Sequence, residues 1–327
     1  MKDKIRWGIA GPGRIAHKFA QDLQLVDGGH LTAIGSRDLA RAKSFADEYK
    51  APFSYGSYEE LFHSGEVDVV YIATPHNFHV DLALSAMQHG KHVLCEKPAG
   101  VNSEEVKQMV AMAEEKGVFY MEALWSRFIP AIKKVKELVD KNVIGNVGYL
   151  NADFAFYALD RDEGSRVLNP ELAGGSLLDI GIYPIFLAYL ILGKPQEILA
   201  ASKFHRTGAE VQTAMIFDYP NAQALLYSGN TTNSEMKAEI TGSKGALYLP
   251  RRWHEAQGYT MLKDGEAHDY ELPTIGFGYA HEIMEVHDCL AAGKIQSDFW
   301  SHQNSLDLIA LLDTVRAKTG ITFPFEA

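Results

Sequence analysis

The sequence predicts an α/β doubly wound parallel sheet, followed by an α+β domain built on a large, mostly antiparallel open sheet. Three observations carry this. Strand and helix patterns alternate at short spacing from residue 5 to about residue 121. A glycine turn follows the first strand pattern directly. After about residue 145 the rhythm changes to closely spaced strands, some only four or five residues apart. Such gaps suffice for hairpins and are too short for helical crossovers.

In order, residues 5–10 read as a strand, 14–26 as a helix, 30–36 as a strand and 38–49 as an alanine-rich helix. Residues 67–73 are a near-continuous β-branched run, as in a parallel strand buried on both faces. A helix at 78–89, a strand at 92–95, a helix at 103–116 and a strand at 118–121 complete the alternation. The second part reads as strands at 147–157, 196–205, 211–218, 222–230, 236–241 and 245–249. Helices at 182–192, 277–292 and 302–318 are expected to cover one face of that sheet. The domains predicted are 1–122 and 123–327, with the C-terminal helix able to pack back on the first. Val211–Phe217 and Ala222–Ser228 carry apolar groups on both alternating faces. With few helices left to cover the second face, a homodimer or homotetramer through this sheet is expected.

Composition narrows the classes of partner. The chain has 327 residues, 46% hydrophobic and 22% charged, which fits two folded domains. Its net charge of −11 disfavours nucleic acid and anionic membrane as partners. The two cysteines, Cys95 and Cys289, lie far apart and imply neither a disulfide framework nor a cysteine metal site. No apolar signal segment precedes the first strand and no apolar run is long enough to span a bilayer, so a cytoplasmic location is expected.

The turn Gly11-Pro12-Gly13-Arg14-Ile15-Ala16 fits G-x-G-x-x-A between a strand and a helix. Gly11 permits the tight turn, Gly13 lets a pyrophosphate approach the backbone, and Ala16 lets the helix pack close to the sheet. The helix start at Arg14 and Ile15 offers N–H groups and partial positive charge to the phosphates. This is a Rossmann dinucleotide site. At the end of the second strand, where NAD sites place an acid for the ribose 2′-hydroxyl, stand Ser36 and Arg37. Serine can hydrogen-bond a 2′-phosphate, and arginine can pair with it and stack on adenine. NADP is therefore the expected cofactor, with NAD possible; the other reading of Arg37 is a solvated residue before a helix capped by Asp38.

Cys95-Glu96-Lys97-Pro98 follows a strand at the carboxyl end of the parallel sheet, where ligands bind. With the glycine turn and Ala73-Thr74-Pro75-His76-Asn77-Phe78-His79, it resembles the glucose–fructose oxidoreductase, inositol dehydrogenase and rhizopine oxidoreductase (Gfo/Idh/MocA) family. Gly174-Gly175-Ser176-Leu177-Leu178-Asp179-Ile180-Gly181-Ile182-Tyr183 resembles the signature of that family's second domain. Many members carry histidine where Tyr183 stands and three glycines where this chain has Gly-Gly-Ser. Tyr183, with Met121-Glu122-Ala123-Leu124-Trp125-Ser126-Arg127-Phe128, looks more like the dimeric dihydrodiol dehydrogenase and NADP-dependent D-xylose dehydrogenase subgroup. The resemblance implies a nicotinamide cofactor and alcohol–carbonyl chemistry without metal. It also places Thr74, Pro75, His76, His79, Glu96 and Lys97 at the cofactor, with Glu96 either on the nicotinamide ribose or positioning Lys97.

The residues support that chemistry in their own right. Hydride transfer at a carbon bearing oxygen leaves a hydroxyl proton to be moved by the protein. Lys97 can move it from a partly enclosed site. Tyr183 can supply the proton directly or only orient the substrate hydroxyl. Asp179 stands four residues before Tyr183, so on a regular helix the two share a face. It is a candidate to hold a substrate hydroxyl or a partner side chain, or else a plain helix-start carboxylate. His79, Trp125, Arg127 and Phe154 are further pocket candidates, each as well explained by packing.

The reaction expected interconverts a secondary alcohol (sugar, polyol or trans-dihydrodiol) and its carbonyl. Two rivals stand beside it: a glycosidase that uses its nicotinamide transiently, and a non-catalytic dinucleotide sensor. The pairs His76/His79 and His281/Glu285 have metal-like spacing but no evident third ligand, and no metal is expected at the reaction centre.

Overall fold

A computed structural model describes residues 4–326. Along the chain it begins with β1 (Ile5–Ala10), α1 (Arg14–Leu23), β2 (Gly29–Gly35), α2 (Leu39–Tyr49), β3 (Phe53–Tyr55), α3 (Tyr58–His63) and β4 (Val69–Ile72). Then come α4 (His79–Gln88), β5 (His92–Glu96), α5 (Ser103–Lys116) and β6 (Tyr120–Ala123). The six strands are all parallel, in the order β3-β2-β1-β4-β5-β6. The order reverses between β1 and β4, and the crevice at a reversal lies beyond the carboxyl ends of the strands. β4 buries every residue, as its β-branched run requires. Phe19 of α1 stacks on Tyr71 of β4 with ring centroids 3.7 Å apart, closing the helix onto the sheet.

The chain continues through α6 (Pro130–Asp140), β7 (Val147–Ala155), α7 (Ile182–Leu192), β8 (Glu197–Phe204), β9 (Glu210–Tyr219), β10 (Ala222–Gly229) and β11 (Ala238–Gly242). It ends with β12 (Gly245–Leu249), β13 (Gly258–Lys263), β14 (Glu266–Glu271), α8 (Ala280–Ala291) and α9 (His302–Thr319). The eight-stranded sheet runs β14-β13-β12-β11-β7-β10-β9-β8, and only the β7–β10 pair in it is parallel. Apolar α7, buried from Ile182 to Ala188, lies on β7 and β10. The opposite face leaves Leu199, Ile216 and Leu225 exposed. No helix among the described residues is long and apolar enough to cross a membrane.

The chain divides into two compact units, Met1–Phe128 with Thr274–Leu306, and Ile129–Pro273 with Asp307–Ala327. The first is therefore discontinuous, where the sequence pattern gave two consecutive domains. The helix expected at 277–292 to cover the second sheet is α8, and it belongs to the first unit. The reason is a buried cap. Asp22 of α1 accepts from the amides of Phe277 (2.8 Å), Tyr279 (2.8 Å) and Ala280 (3.1 Å), supplying the side-chain cap that the N-cap residue Tyr279 does not. Trp7 Nε1 of β1 donates to His287 Nε2 of α8 at 3.0 Å, a second tie.

Several elements were not read from the sequence. β3 has three residues and α3 six, too short for a period to show. α6 starts at Pro130, which suits the first helical position because its amide hydrogen is dispensable there. β14 is exposed at every position and shows no alternation, as expected of a charged edge strand. The strand expected at 118–121 starts at Tyr120, because α5 ends on Gly117 in the left-handed region and two residues are needed to re-enter the sheet.

Candidate functional site

In the first unit the glycine turn is built for close approach. Gly11 has φ +95°, and a Cβ there would meet Thr74 Cγ2 at 2.9 Å, so a side chain is excluded on two counts. Gly13 is the N-cap of α1 and no side chain among the described residues caps that helix. Its first-turn amides, at Arg14 and Ile15, are thus left for an anion. Thr74 Oγ1 is buried without a hydrogen-bond partner among the described residues. An orphaned donor beside a turn that must stay bare fits a dinucleotide diphosphate lying there.

At the end of β2, Asp38 caps α2 by accepting from the amides of Ala40 (2.9 Å) and Arg41 (3.3 Å). Ser36 is buried, and its Oγ accepts from the Asp38 amide at 3.2 Å. The Arg37 guanidinium lies over the Phe78 ring, 5.3 Å from its centroid, and its side chain is exposed. The carboxylate nearest the adenosine end is therefore engaged in capping, and a cation stands beside it. Arg41, which the sequence reading passed over, donates through Nε and a terminal nitrogen to the Pro12 carbonyl at 3.2 and 3.0 Å. It joins α2 to the phosphate turn. Its place one turn after Asp38 was the available signal.

Lys97 follows β5 directly and is half-buried. The loop around it is held from both sides. His79 Nδ1 lies 2.8 Å from the Pro98 carbonyl and Nε2 lies 3.0 Å from the Thr74 carbonyl. Burial lowers the basicity of this ring and the Lys97 charge adds to the effect, while the carbonyls act against it. The neutral ring then donates to one of the two carbonyls. His79 thus ties the β4 and β5 loops together.

On the other side, buried Glu122 of β6 accepts from the Ala99 amide (2.9 Å), Ser305 Oγ (2.7 Å) and Trp300 Nε1 (3.1 Å). Burial raises its pKa, and its hydrogen bonds and the Lys97 charge oppose that. Glu96 is buried and accepts from the Tyr71 hydroxyl. Pro75 opens the short 3₁₀ turn His76–Phe78, and the buried His76 ring lies 5.8 Å from that of His79. Trp125 stacks on Tyr279 with centroids 5.0 Å apart. Arg127 donates from Nε to the Phe299 carbonyl at 3.0 Å, with its guanidinium over that ring. Both are packed into the wall of this unit.

In the second unit, Tyr183 at the start of α7, Phe154 of β7 and His254 form an aromatic cluster. Phe154 stacks on His254 at 4.2 Å, and Tyr183 lies 5.4 Å from Phe154 and 5.3 Å from His254. Asp179 sits in a π-helical turn, Leu177–Gly181, rather than in the regular helix that its spacing from Tyr183 suggested. Such turns recur at functional sites. Both oxygens of Asp179 meet Arg166, at 2.9 and 3.1 Å, a bidentate pair.

The turn itself is fixed by buried Glu210, which accepts from the amides of Ser176 and Leu177, from Ser176 Oγ (each 2.8 Å) and from Thr213 Oγ1 (2.7 Å). Gly174 is required because a Cβ would lie 2.6 Å from the Asn169 carbonyl oxygen. Arg166, His254 and Glu210 were not found from the sequence. They sit in an irregular segment, a one-turn 3₁₀ helix and a strand start, where no local pattern marks them.

The family described as "Oxidoreductase family, NAD-binding Rossmann fold" matches residues 5–124. The "GFO/IDH/MocA C-terminal domain" matches residues 132–248. Trans-1,2-dihydrobenzene-1,2-diol dehydrogenase of Mus musculus is 35% identical over 333 residues, covering 98% of each chain. The same-named protein of Homo sapiens is 33% identical over 334 residues, again covering 98% of each. Among solved structures, a 3-ketoreductase from Actinomadura kijaniata in complex with NADP and TDP-benzene superposes with a TM-score of 0.87. It is 27% identical and the match covers 97% of this chain and 98% of that one.

Proposed function

The chain belongs to the Gfo/Idh/MocA oxidoreductase family, and from that premise we propose that it is an NADP-dependent dehydrogenase of secondary alcohols with Lys97 as its proton carrier. The substrate class is a small sugar, polyol or trans-dihydrodiol, and the dihydrodiol dehydrogenase relatives favour the last. The 3-ketoreductase solved with NADP supports the cofactor assignment.

The observation that carries the reading is the mounting of Lys97. It stands at the carboxyl end of β5, and its loop is pinned by His79 on Pro98 and by Glu122 on Ala99. A flexible surface lysine needs no such anchors; a proton carrier does, because general acid–base catalysis depends on held geometry. The cofactor, when bound, exchanges hydride with the substrate carbon. Lys97 takes the hydroxyl proton during oxidation and returns it during reduction. The bare turn at Gly11 and Gly13 holds the diphosphate, and Ser36 and Arg37 hold the 2′-phosphate.

Substrate selection is assigned to the second unit. Tyr183, Phe154 and His254 offer an aromatic surface suited to a ring or the apolar face of a sugar. Tyr183 also offers a hydroxyl to the reacting oxygen. Asp179, oriented by Arg166, holds a further substrate hydroxyl. Oligomerisation through the open sheet face, as a homodimer or homotetramer, and a cytoplasmic location complete the proposal. The first is supported by exposed Leu199, Ile216 and Leu225, the second by two buried free thiols.

The test follows reduced-nicotinamide absorbance with NADP⁺ or NADPH across trans-dihydrodiols, aldoses and polyols. Lys97→Ala is expected to lower kcat by at least ~100-fold while NADP affinity is kept. Near-normal turnover in that variant overturns the assignment. Sugar release without net nicotinamide reduction identifies a glycosidase, and binding without turnover of any substrate identifies a sensor.

A further inference from the structure

Away from the nucleotide edge, Glu59 and His63 of α3 meet His89, the C-terminal cap of α4. His63 Nε2 and His89 Nε2 face each other at 3.1 Å. Each ring's other nitrogen is already committed: His63 Nδ1 lies 2.9 Å from the Glu59 backbone carbonyl, and His89 Nδ1 lies 2.8 Å from that of Ser85. A carbonyl accepts only, so in the neutral rings the hydrogen sits on Nδ1 and both Nε2 atoms carry lone pairs. Two lone pairs at 3.1 Å repel unless a cation lies between them.

The carboxylate completes the set. Glu59 Oε1 is 3.4 Å from His89 Nε2 and 3.4 Å from His63 Nδ1, while Oε2 accepts from Ser85 Oγ at 2.9 Å. One oxygen is thus oriented by a serine and the other is turned toward the imidazoles. Metal-ligating histidines show the same backing, with the distal nitrogen donating to a carbonyl.

We propose that Glu59, His63 and His89 form an accessory site for a divalent transition metal of the zinc type, ligated by the two Nε2 atoms and a Glu59 oxygen. The spacing fits. Ligand bonds of about 2.0–2.1 Å place neighbouring donors roughly 3.1–3.4 Å apart at angles of about 100–110°. One ring nitrogen or carboxylate oxygen from each of the three residues lies within 4.8 Å of the other two. The C-terminal end of α4 contributes partial negative charge. Lys91 stiffens the surround by donating to the Ser64 and Val67 carbonyls at 2.6 and 2.9 Å. Glu59 and His63 are exposed and His89 half-buried, so water completes the coordination.

The site is structural rather than catalytic. α4 has ten residues and is about 15 Å long, and its opposite end is His79, which holds the Lys97 loop. A metal at the cap clips α3 to α4 and does not reach the lysine.

The test titrates chelator-treated full-length protein with Zn²⁺ by calorimetry, alongside His63→Ala, His89→Ala and Glu59→Gln. Wild type is expected to take up one equivalent that both histidine variants lose and that Glu59→Gln binds about tenfold more weakly. With Cu²⁺, electron paramagnetic resonance of wild type is expected to show two coupled imidazole nitrogens. No Zn²⁺ uptake by wild type overturns the proposal and leaves the imidazoles sharing a proton only. Uptake unchanged in the His63→Ala/His89→Ala double variant also overturns it.

Discussion

Glu282 of α8 is fully buried and neither carboxylate oxygen has a hydrogen-bond partner among the described residues. Burial raises its pKa well above the usual carboxylate value, and the charges of Glu96 and Asp22 push the same way. The folded protein therefore keeps a proton here that the unfolded chain releases near pH ~4.3. A raised pKa means that the stabilisation is full below that value and is lost as pH rises toward the folded pKa. For one proton the slope is about 1.4 kcal/mol per pH unit.

Glu282→Gln cannot titrate. Relative to wild type it should gain stability as pH rises from 5 to 7, at no more than about 1.4 kcal/mol per unit. For a unit of this size, each kcal/mol gained shifts the melting temperature by roughly 2–4 °C in the variant's favour. The assay is thermal and urea unfolding of both proteins at pH 5 and pH 7, reading the transition of the Rossmann unit. The absolute stability of the variant is not the readout, because an amide in the same place carries its own desolvation cost. A wild-type-to-variant difference that stays flat within about 0.5 kcal/mol across this range refutes the reasoning.

Three further outcomes follow from the geometry. Arg37→Ala should raise KM for NADP by about 10–100-fold, the worth of one charge-assisted hydrogen bond, and change KM for NAD far less; steady-state kinetics with both cofactors decides, and equal effects would remove the 2′-phosphate assignment. Arg166→Ala leaves the Asp179 carboxylate without its bidentate partner, so KM for substrate should rise at least about tenfold with NADP affinity unchanged; Arg166→Lys should restore only part, and unchanged substrate kinetics would dismiss the pair. Ile216→Glu with Leu225→Glu puts charge on the exposed sheet face and should turn the proposed dimer or tetramer into monomer in light scattering; a wild type that is itself monomeric, or a variant of unchanged mass, would dismiss an interface on this face.

The Rossmann half was legible because its signals are local. Gly11, Gly13 and Ala16 act within one turn, and β4 declares its burial in its own β-branched run. Ser36 and Arg37 could be named because the end of the second strand has one fixed task in this fold. The eight-stranded sheet was readable as strands, but its order was not. Register depends on partners far apart, such as β7 lying parallel to β10.

The residues that hold the site in place were the least readable. Glu122 and Glu210 each gather donors from separate segments, and such contacts leave no mark on neighbouring residues. The return of residues 274–306 to the first unit hinges on Asp22, some 250 positions upstream of the amides it caps. Asp179 stands inside a recognisable motif, but its spacing from Tyr183 suggested a regular helix. The π turn arises from Glu210 and the bare glycines around it, not from any helical period.

The histidine that joins the β4 and β5 loops makes them a single mechanical part. Recombining either loop alone from another family member would strand one carbonyl and release the lysine's mount. Grafts meant to alter cofactor use should therefore move both loops and their shared imidazole as one cassette.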